Sequence, residues 1–531
     1  MAALGRSTAL RAVVLLGMVL AGGCATGPSV VPVEEAQPID RKLVEYPAGF
    51  HLVPYIRGLN APVAMAFDNE GSLLIAENGP DGKHPRIFGY RRDNTYFEVY
   101  PRGRNIFGIG RQTLDFHAPI GGMVVAGGRI YVTHRDASGM GVVSAFDYDG
   151  NATTIVANLP ARGDYSLTDI ITRADNRLYF GLGSATNSGV VGLDNWARGW
   201  INRYSDFCDI PFVTLALLGY RADAKNPEAG LFGGDDIAVT GPFQPFGQSD
   251  LNRIRRASDG KPTGAIYSVD PSGGDLRVEA HGIRLPRGLA VNEFGRLYAT
   301  NNGMELRGTR PVKDDPDSLI RIITGAGVPA WYGFPDYSAD FQPITDERFQ
   351  PPIEMLIKTG YRSLSFLIDQ YASNPPNGLS RPDRTTLLQA TFAPLSGAGK
   401  MAVIPSAGPL SEYQGNILVA LGGDYAPFAT SGHKMIEPTG YKVVRVELDP
   451  DRRQVIDFIR NTQGKPASEI GKDVEALERP WDLKFGPDGA VYVLDHGRLE
   501  MKGGRERVFR GTGKIFKLIP ANAETQPAEE L

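Results

Sequence analysis

The sequence predicts an all-β fold, a six-bladed β-propeller, from a strand–turn–strand pattern that recurs along the chain. The pattern occurs at 62–79, 286–303 and 480–497, and in each copy the turn glycine follows the first proline by nine positions. Looser copies lie at 121–134 and 165–181. Each copy joins two apolar strands through an Asn/Asp/Gly turn, which is a hairpin signal. Since a lone hairpin cannot bury both faces, recurring hairpins indicate radially packed blades. A β-sandwich is the alternative.

The first 23 residues predict an export signal. Two arginines precede an apolar run at 12–21 that is too short to span a membrane, and small residues lead to Cys24. A Cys after Ala-Gly-Gly resembles a bacterial lipobox, so we expect Cys24 to carry a lipid; an ordinary secretory signal is the alternative. The protein is then anchored at the bacterial cell envelope, on the periplasmic side of the membrane. Residues 24–45, rich in Pro, Val, Glu and Gln, are expected to form a flexible tether.

The propeller itself is expected at 46–519, followed by a disordered tail at 520–531. The alternating segment at 50–59 is a candidate for the strand that closes the ring against the C-terminal blade. Two stretches, 194–250 and 336–390, interrupt the strand pattern. Long insertions in compact folds are usually functional lids or surface decorations.

Composition and cysteine content exclude several classes of function. The net charge is −4, which gives no electrostatic attraction to nucleic acid. Only Cys208 remains after processing, so neither a disulfide within one chain nor a covalently attached c-type haem is expected. A phosphate-binding Walker loop, zinc-ligand spacing and a Gly-x-Ser-x-Gly elbow are all absent from the sequence.

Five motifs in a fixed order resemble the glucose/sorbosone dehydrogenase family. These are six-bladed propellers that use pyrroloquinoline quinone (PQQ) and calcium. The resemblance covers nearly all of 50–519, and its motifs lie at 58–79, 179–192, 332–335, 440–446 and 479–489. It implies PQQ and calcium as cofactors, a sugar or related alcohol as substrate, and an electron acceptor that the sequence does not identify.

The resemblance also implies a catalytic base ten residues before the Asp of the third hairpin turn. The family has a His there, whereas this chain has Tyr165, ten residues before Asp175. Tyr has a reference pKa of about 10 and is a poor base near neutrality. His117, ahead of a Gly-Gly strand start, is the other catalytic candidate; a loop histidine bonded to backbone is the alternative. His134 and His496 end second strands, where a solvent-exposed turn is the favoured interpretation.

Two basic residues match positions that meet the cofactor in this family, and a third candidate, Arg287, lies in the same motif. The family's Arg-Asn-Pro-Gln-Gly corresponds to residues 284–288, in which Arg284 is kept, the Asn is lost and Arg287 is added. Lys400 corresponds to a lysine that reaches the quinone. The arginines that follow the next strand in the family have no counterpart in 422–427.

A short acidic segment is the candidate for calcium. Asp314, Asp315 and Asp317 offer the carboxylate oxygens that hard cations prefer. A charged turn is the alternative.

Three functions remain open. The first is PQQ-dependent oxidation of a sugar or alcohol at the cell envelope. The second is a catalytically degenerate propeller that binds carbohydrate or a protein at the cell surface. The third is a metal-dependent lactonase-type hydrolase, because Glu77, Asn301 and Asp495 occupy equivalent repeat positions and could form a metal cage.

Overall fold

The computed structural model describes residues 28–521, except for 33–34, 102–113, 218–221, 228, 230–234, 250–253, 256–259, 326, 356–378, 380, 434, 436 and 450–451. The signal segment, Cys24 and residues 522–531 of the expected tail therefore lie outside the described residues.

Six sheets of four or five strands form the blades of a propeller, as the repeat predicts. The strands are given from the inner to the outer edge of each blade. Blade 1 comprises Pro62–Phe67, Leu73–Glu77, Arg86–Tyr90 and Tyr96–Tyr100, and blade 2 comprises Met123–Ala126, Arg129–Arg135, Gly141–Phe146 and Ala152–Leu159. Blade 3 comprises Leu167–Thr172, Leu178–Leu182, Ala265–Val269, Arg277–His281 and Ala330–Trp331. Blade 4 comprises Pro286–Val291, Leu297–Asn301, Pro316–Ile322 and Leu388–Pro394. Blade 5 comprises Ala398–Val403, Ile417–Leu421, Lys442–Glu447, Gln454–Asn461 and Val44–Glu45. Blade 6 comprises Pro480–Phe485, Val491–Asp495, Gly513–Pro520, Phe50–Leu59 and Ser29–Val30. Each innermost strand contacts the innermost strands of both neighbouring blades, which closes a ring around the axis.

Smaller elements decorate the blades. Among the described residues these elements include three two-stranded pairs: Leu215–Ala216 with Ile254–Arg255, Ala222–Lys225 with Ile237–Thr240, and Leu499–Lys502 with Arg505–Val508. They also include the α-helices Leu193–Arg198, Arg384–Leu387 and Ala467–Ile470 and the 3-10 helices Glu347–Phe349 and Ser411–Tyr413. None of the helices within the described ranges has the length and apolar character needed to cross a bilayer.

The ring closes as the sequence predicts. Phe50–Leu59 pairs antiparallel with Gly513–Pro520, so the last blade is built from both ends of the propeller. Apolar side chains fill the spaces between blades; between blades 6 and 1, for example, Ile515 packs in one cluster with Ile75 and Phe88.

The segment expected to be a flexible tether is instead paired with the propeller over much of its described length. Ser29–Val30 adds to the edge of blade 6, and Val44–Glu45 adds to the edge of blade 5. Ile39 and Val44 are buried in the core cluster beneath them. The physical reason is that an outer strand presents unpaired N–H and C=O groups, which a neighbouring extended segment can satisfy.

The three hairpin turns have the backbone that the repeat requires. Gly71, Gly295 and Gly489 have φ of 83°, 70° and 72°, in the left-handed region that glycine adopts without strain. The conserved spacing within the repeat therefore reflects turn geometry.

The polar residue that ends each of these hairpins is structural. The side chains of Glu77, Asn301 and Asp495 each accept a backbone N–H from the segment leading into the inner strand of their own blade, at 2.9, 3.1 and 2.7 Å respectively. These groups stabilise the entry of the chain into each blade. Each of these side chains already accepts a hydrogen bond within its own blade, which argues against the shared metal cage that a lactonase would need.

Candidate ligand-binding site on the propeller axis

A cavity of about 200 Å³ lies on the propeller axis, where inner strands begin and second strands end. All six blades contribute to its wall, through residues that include Val63, Gly121, Tyr165, Arg287, Lys400 and Trp481. Its volume is below the roughly 300–1,000 Å³ typical of sites for drug-sized ligands. The cavity therefore suits a small molecule.

Tyr165 lies in the wall, but its hydroxyl is held by charged neighbours. Arg284 donates a short hydrogen bond to this hydroxyl and Arg307 donates another at 3.1 Å, while the hydroxyl itself donates to Glu305 at 3.4 Å. Burial raises the pKa of Tyr165 to about 12, against the opposing effect of the Arg284 charge. The phenol is therefore protonated at neutral pH and is poorly suited to act as a base.

Arg284 lies behind the wall, with its guanidinium fully engaged. It donates to the backbone and side-chain oxygens of Asn187 at 2.9 and 2.8 Å and to the carbonyl of Asn302 at 3.4 Å. It also pairs with Glu305 at 3.3 Å. Because protein acceptors surround this buried guanidinium, it has little capacity for a ligand carboxylate.

The same network continues to Arg307, which is buried among three carboxylates. It pairs with Asp164 at 2.8 Å and makes shorter contacts with Asp194 and Glu305. Burial alone would raise the pKa of Glu305, but the charges of the two arginines outweigh it and lower this pKa to about 2. Since Asp194 belongs to the helix Leu193–Arg198, the network fastens part of the first insertion to the blades.

Lys400 reaches the wall from the inner strand of blade 5 and ties inner strands together. Its Nζ donates to the carbonyl of Val63 at 2.7 Å and lies 3.8 Å from Asp169 and 3.9 Å from Asp482. Burial lowers the pKa of Lys400, and the two carboxylates oppose that shift. This ammonium group is therefore already compensated by the protein.

Arg287 differs from the other cations of the wall in its surroundings. Its guanidinium carbon lies 3.9 Å from the centroid of the Trp481 ring. Its hydrogen bond is a long one, 3.4 Å, to the hydroxyl of Tyr425. Within the described residues it has no ion-pair partner.

His496 completes this aromatic side of the cavity. Its ring stacks on Trp481 with centroids 4.4 Å apart, and its Nδ1 lies 2.9 Å from the carbonyl of Pro62. Since a carbonyl only accepts, Nδ1 carries the proton and Nε2 keeps its lone pair. Nε2 is buried and has no hydrogen-bond partner in the described structure. Burial lowers the pKa of His496 to about 4, so the ring is neutral at neutral pH.

The other two candidate histidines lie away from the cavity wall. The His117 side chain is 51% exposed and pairs with Asp115 at 2.8 Å. His134 is buried against Ser144 at 2.8 Å, and burial lowers its pKa to about 4. His117, the second catalytic candidate, therefore lies outside the cavity wall, to which the following residues 119–121 contribute instead.

The proposed calcium ligands do not converge. Asp314 is exposed and pairs with Lys313 at 3.3 Å. Asp315 is buried and accepts two backbone N–H groups at 2.7 and 2.8 Å, and burial raises its pKa to about 7. Asp317 accepts two backbone N–H groups at 3.0 and 2.9 Å. Across the described residues there is no cluster of three potential metal ligands.

Sequence reasoning missed the position of His496, although the repeat contains the signal. The polar repeat residue points back into its own blade, and the residue after it faces the axis. Asn78, Asn302 and His496 hold this following position and all line the cavity. The three copies of the repeat already contain this position, and comparing it across the copies would have identified these residues.

Solved structures with this architecture include a pyranose dehydrogenase domain and a Carbohydrate-Active Enzymes protein. The holo form of the pyranose dehydrogenase PQQ domain from Coprinopsis cinerea is 14% identical, with 91% of this chain and 98% of that chain covered and a TM-score of 0.50. A calcium structure of a Carbohydrate-Active Enzymes Family AA12 protein from Trichoderma reesei is 14% identical, with 92% and 99% covered and a TM-score of 0.51. Neither a protein-family model nor a curated protein matches the sequence.

At this level of identity the likeness establishes the fold. The chain has the six-bladed propeller fold of the glucose/sorbosone dehydrogenases, as its motifs indicate. Its neighbours include PQQ-bound and calcium-bound structures.

The residues of this cavity fit PQQ and calcium poorly. PQQ carries three carboxylates, whereas Arg284 and Lys400 are already compensated by protein oxygens. Arg198 pairs with Glu506 at 3.7 Å, which leaves Arg287 as the cation without an ion-pair partner among the described residues of the wall. The acidic segment 314–317 offers no convergent oxygens for calcium. The wall matches one anionic group better than three.

Proposed function

We propose that this protein binds a sugar or a related alcohol in its axial cavity. The observation that carries the proposal is the Trp481 ring, flanked at the cavity by Arg287 and by His496 with a free Nε2 lone pair. Arg287 and His496 cover the two faces of this ring, so a sugar would contact its partly exposed edge with C–H groups, while its hydroxyls donate to such acceptors. The small volume of the cavity agrees with a ligand of this size.

The test is a calorimetric titration of the processed chain, with its N-terminal segment intact, against a panel of monosaccharides, polyols and sugar acids. Replacing Trp481 by Leu should weaken binding at least 10-fold, because it removes the ring against which both Arg287 and His496 are packed. Trp331→Leu is the matched control, since it changes a buried indole on the outer edge of blade 3. Equal effects of the two substitutions, with both proteins folded by circular dichroism, would contradict the proposal.

A second candidate is PQQ-dependent oxidation of the same ligand at the cell envelope. The unprotonated Nε2 of His496 favours it, because alcohol oxidation needs a base near the reacting hydroxyl. The compensation of Arg284 and Lys400 disfavours it. A titration with PQQ, with and without calcium, separates oxidation from simple sugar binding. Calcium-dependent binding of PQQ at micromolar or lower concentration would favour oxidation. If PQQ does not bind, sugar binding remains as the proposed function.

We further propose that a lipid on Cys24 holds the protein at the periplasmic side of the membrane. The support is the signal-like segment that ends in Ala-Gly-Gly-Cys. Detergent phase partitioning of the bacterial protein and its Cys24→Ser variant tests this. The wild type should enter the detergent phase and the variant should not; equal partitioning of both would favour a secreted protein.

A further inference from the structure

We propose that the ligand is a sugar acid, whose single carboxylate binds Arg287 and whose neighbouring hydroxyl donates to Nε2 of His496. This inference rests on the proposed sugar-binding function and names the ligand class for that same cavity. It follows from which charges of the wall are compensated and which polar atoms have no partner.

The first step is the charge balance of the wall. Arg284 and Arg307 pair with Glu305 and Asp164, and protein oxygens surround Lys400. The other two carboxylates of the wall also have protein partners, since Glu506 pairs with Arg198 and Asp317 accepts backbone N–H groups from Gly303 and Ala398. Arg287 is half-buried and has no carboxylate partner among the described residues. A partly desolvated cation without a counter-charge is costly, so an anionic ligand gains more here than a neutral one.

The second step is the donor capacity of the guanidinium. The guanidinium carbon of Arg287 lies 3.9 Å from the centroid of the Trp481 ring, and among the described residues its N–H donors have one hydrogen-bond acceptor, the hydroxyl of Tyr425 at 3.4 Å. A guanidinium with free N–H donors binds a carboxylate through two parallel hydrogen bonds. The single guanidinium of Arg287 therefore matches a ligand with one carboxylate.

The third step is the adjacent acceptor. The ring of His496 contacts the same indole, and the carbonyl of Pro62 fixes its tautomer so that Nε2 can only accept. A carboxylate alone could not satisfy this lone pair, because it carries no donor. A hydroxyl close to the carboxylate can, and this combination is present in aldonic and uronic acids.

The experiment compares matched ligands. Gluconate and glucuronate are titrated beside sorbitol and glucose, which have similar hydroxyl patterns and no carboxylate. We expect the acids to bind at least 10-fold more tightly. Arg287→Gln should remove this preference while retaining weak binding of the neutral sugars. Arg296→Gln, an exposed arginine of the same blade that lies near an aromatic ring, is the matched control and should leave the preference intact.

A second variant tests the hydroxyl. His496→Phe keeps a ring against Trp481 and removes the acceptor, so it should weaken gluconate binding about 10-fold and leave binding of hexanoate, which has no hydroxyl, unchanged. Equal binding of acids and neutral sugars, or a preference that survives Arg287→Gln, would overturn the sugar-acid inference and leave the sugar-binding function standing. No binding of any sugar or sugar acid would overturn both.

Discussion

Arg307 is the residue whose removal tests the buried ionic network most directly. The substitution Arg307→Met keeps a long apolar side chain and leaves Asp164, Asp194 and Glu305 without their shared counter-charge. Removing one partner of a buried ion pair costs about 3–5 kcal/mol. The unfolding entropy is about 2.1 cal/mol/K per residue, which gives about 1 kcal/mol/K for a propeller of roughly 470 residues. Dividing the loss of stability by this entropy predicts that the melting temperature falls by about 3–5 °C.

The assay is thermal unfolding followed by calorimetry, with Arg460→Met as the matched control. Arg460 is 43% exposed and pairs with Glu45 at 2.8 Å, and such a surface pair contributes at most about 1 kcal/mol. Without Arg307 the buried carboxylates would have pKa values above those of the unfolded chain, so the loss of stability should be larger at pH 7 than at pH 5. Equal losses for the two variants, or a loss independent of pH, would refute the reasoning.

Three further predictions concern the turns, the N-terminal segment and the cavity. Gly295→Ala should lower the free energy of unfolding, measured by chemical denaturation, by about 1 kcal/mol, because Gly295 has a φ of +70°. Gly274→Ala is the control, since Gly274 also has open space around it but no positive φ, and this substitution should leave the free energy of unfolding unchanged. Equal losses for the two substitutions would contradict the prediction. Deleting 28–45 should lower the melting temperature by about 3 °C or more, because it removes Val44 and other buried apolar groups from the core; an unchanged value would contradict the observed pairing. Affinity for a neutral sugar should be constant from pH 5.5 to 8, because burial and nearby arginines lower the pKa of His496 to about 4; a loss of affinity near pH 6.5 would contradict this.

The blades could be predicted because their signal is local. A proline, a turn glycine nine positions later and a polar residue six positions after that specify one hairpin, and the three copies mark separate blades. The strand that closes the ring was also predictable, since 50–59 alternates in polarity. The two-residue strands at Ser29–Val30 and Val44–Glu45 were not, because so short a segment has no periodicity.

The candidate site was predictable only in part. Tyr165, Arg287 and Lys400 do line the cavity, since their place in the repeat puts them near the axis. The partners of these residues could not be inferred, because they come from distant segments: Arg284 meets the Tyr165 hydroxyl from 119 positions away. Such long-range contacts determine whether a cation of the wall already has a carboxylate partner in the protein. The cations that have no such partner in turn determine which ligand the cavity suits.

The pairing of the N-terminal segment with the outer strands sets how far the propeller could move if Cys24 carries a lipid, as proposed. The carbonyl of Pro28 already accepts a hydrogen bond from the Tyr90 hydroxyl at 2.8 Å. Four residue steps then separate the lipid from the folded body, a reach of at most roughly 14 Å. Such a protein would sample a thin layer above the bilayer, where its effective concentration toward other membrane-bound proteins is high. A partner fixed in the same membrane could then act on it despite a weak intrinsic affinity.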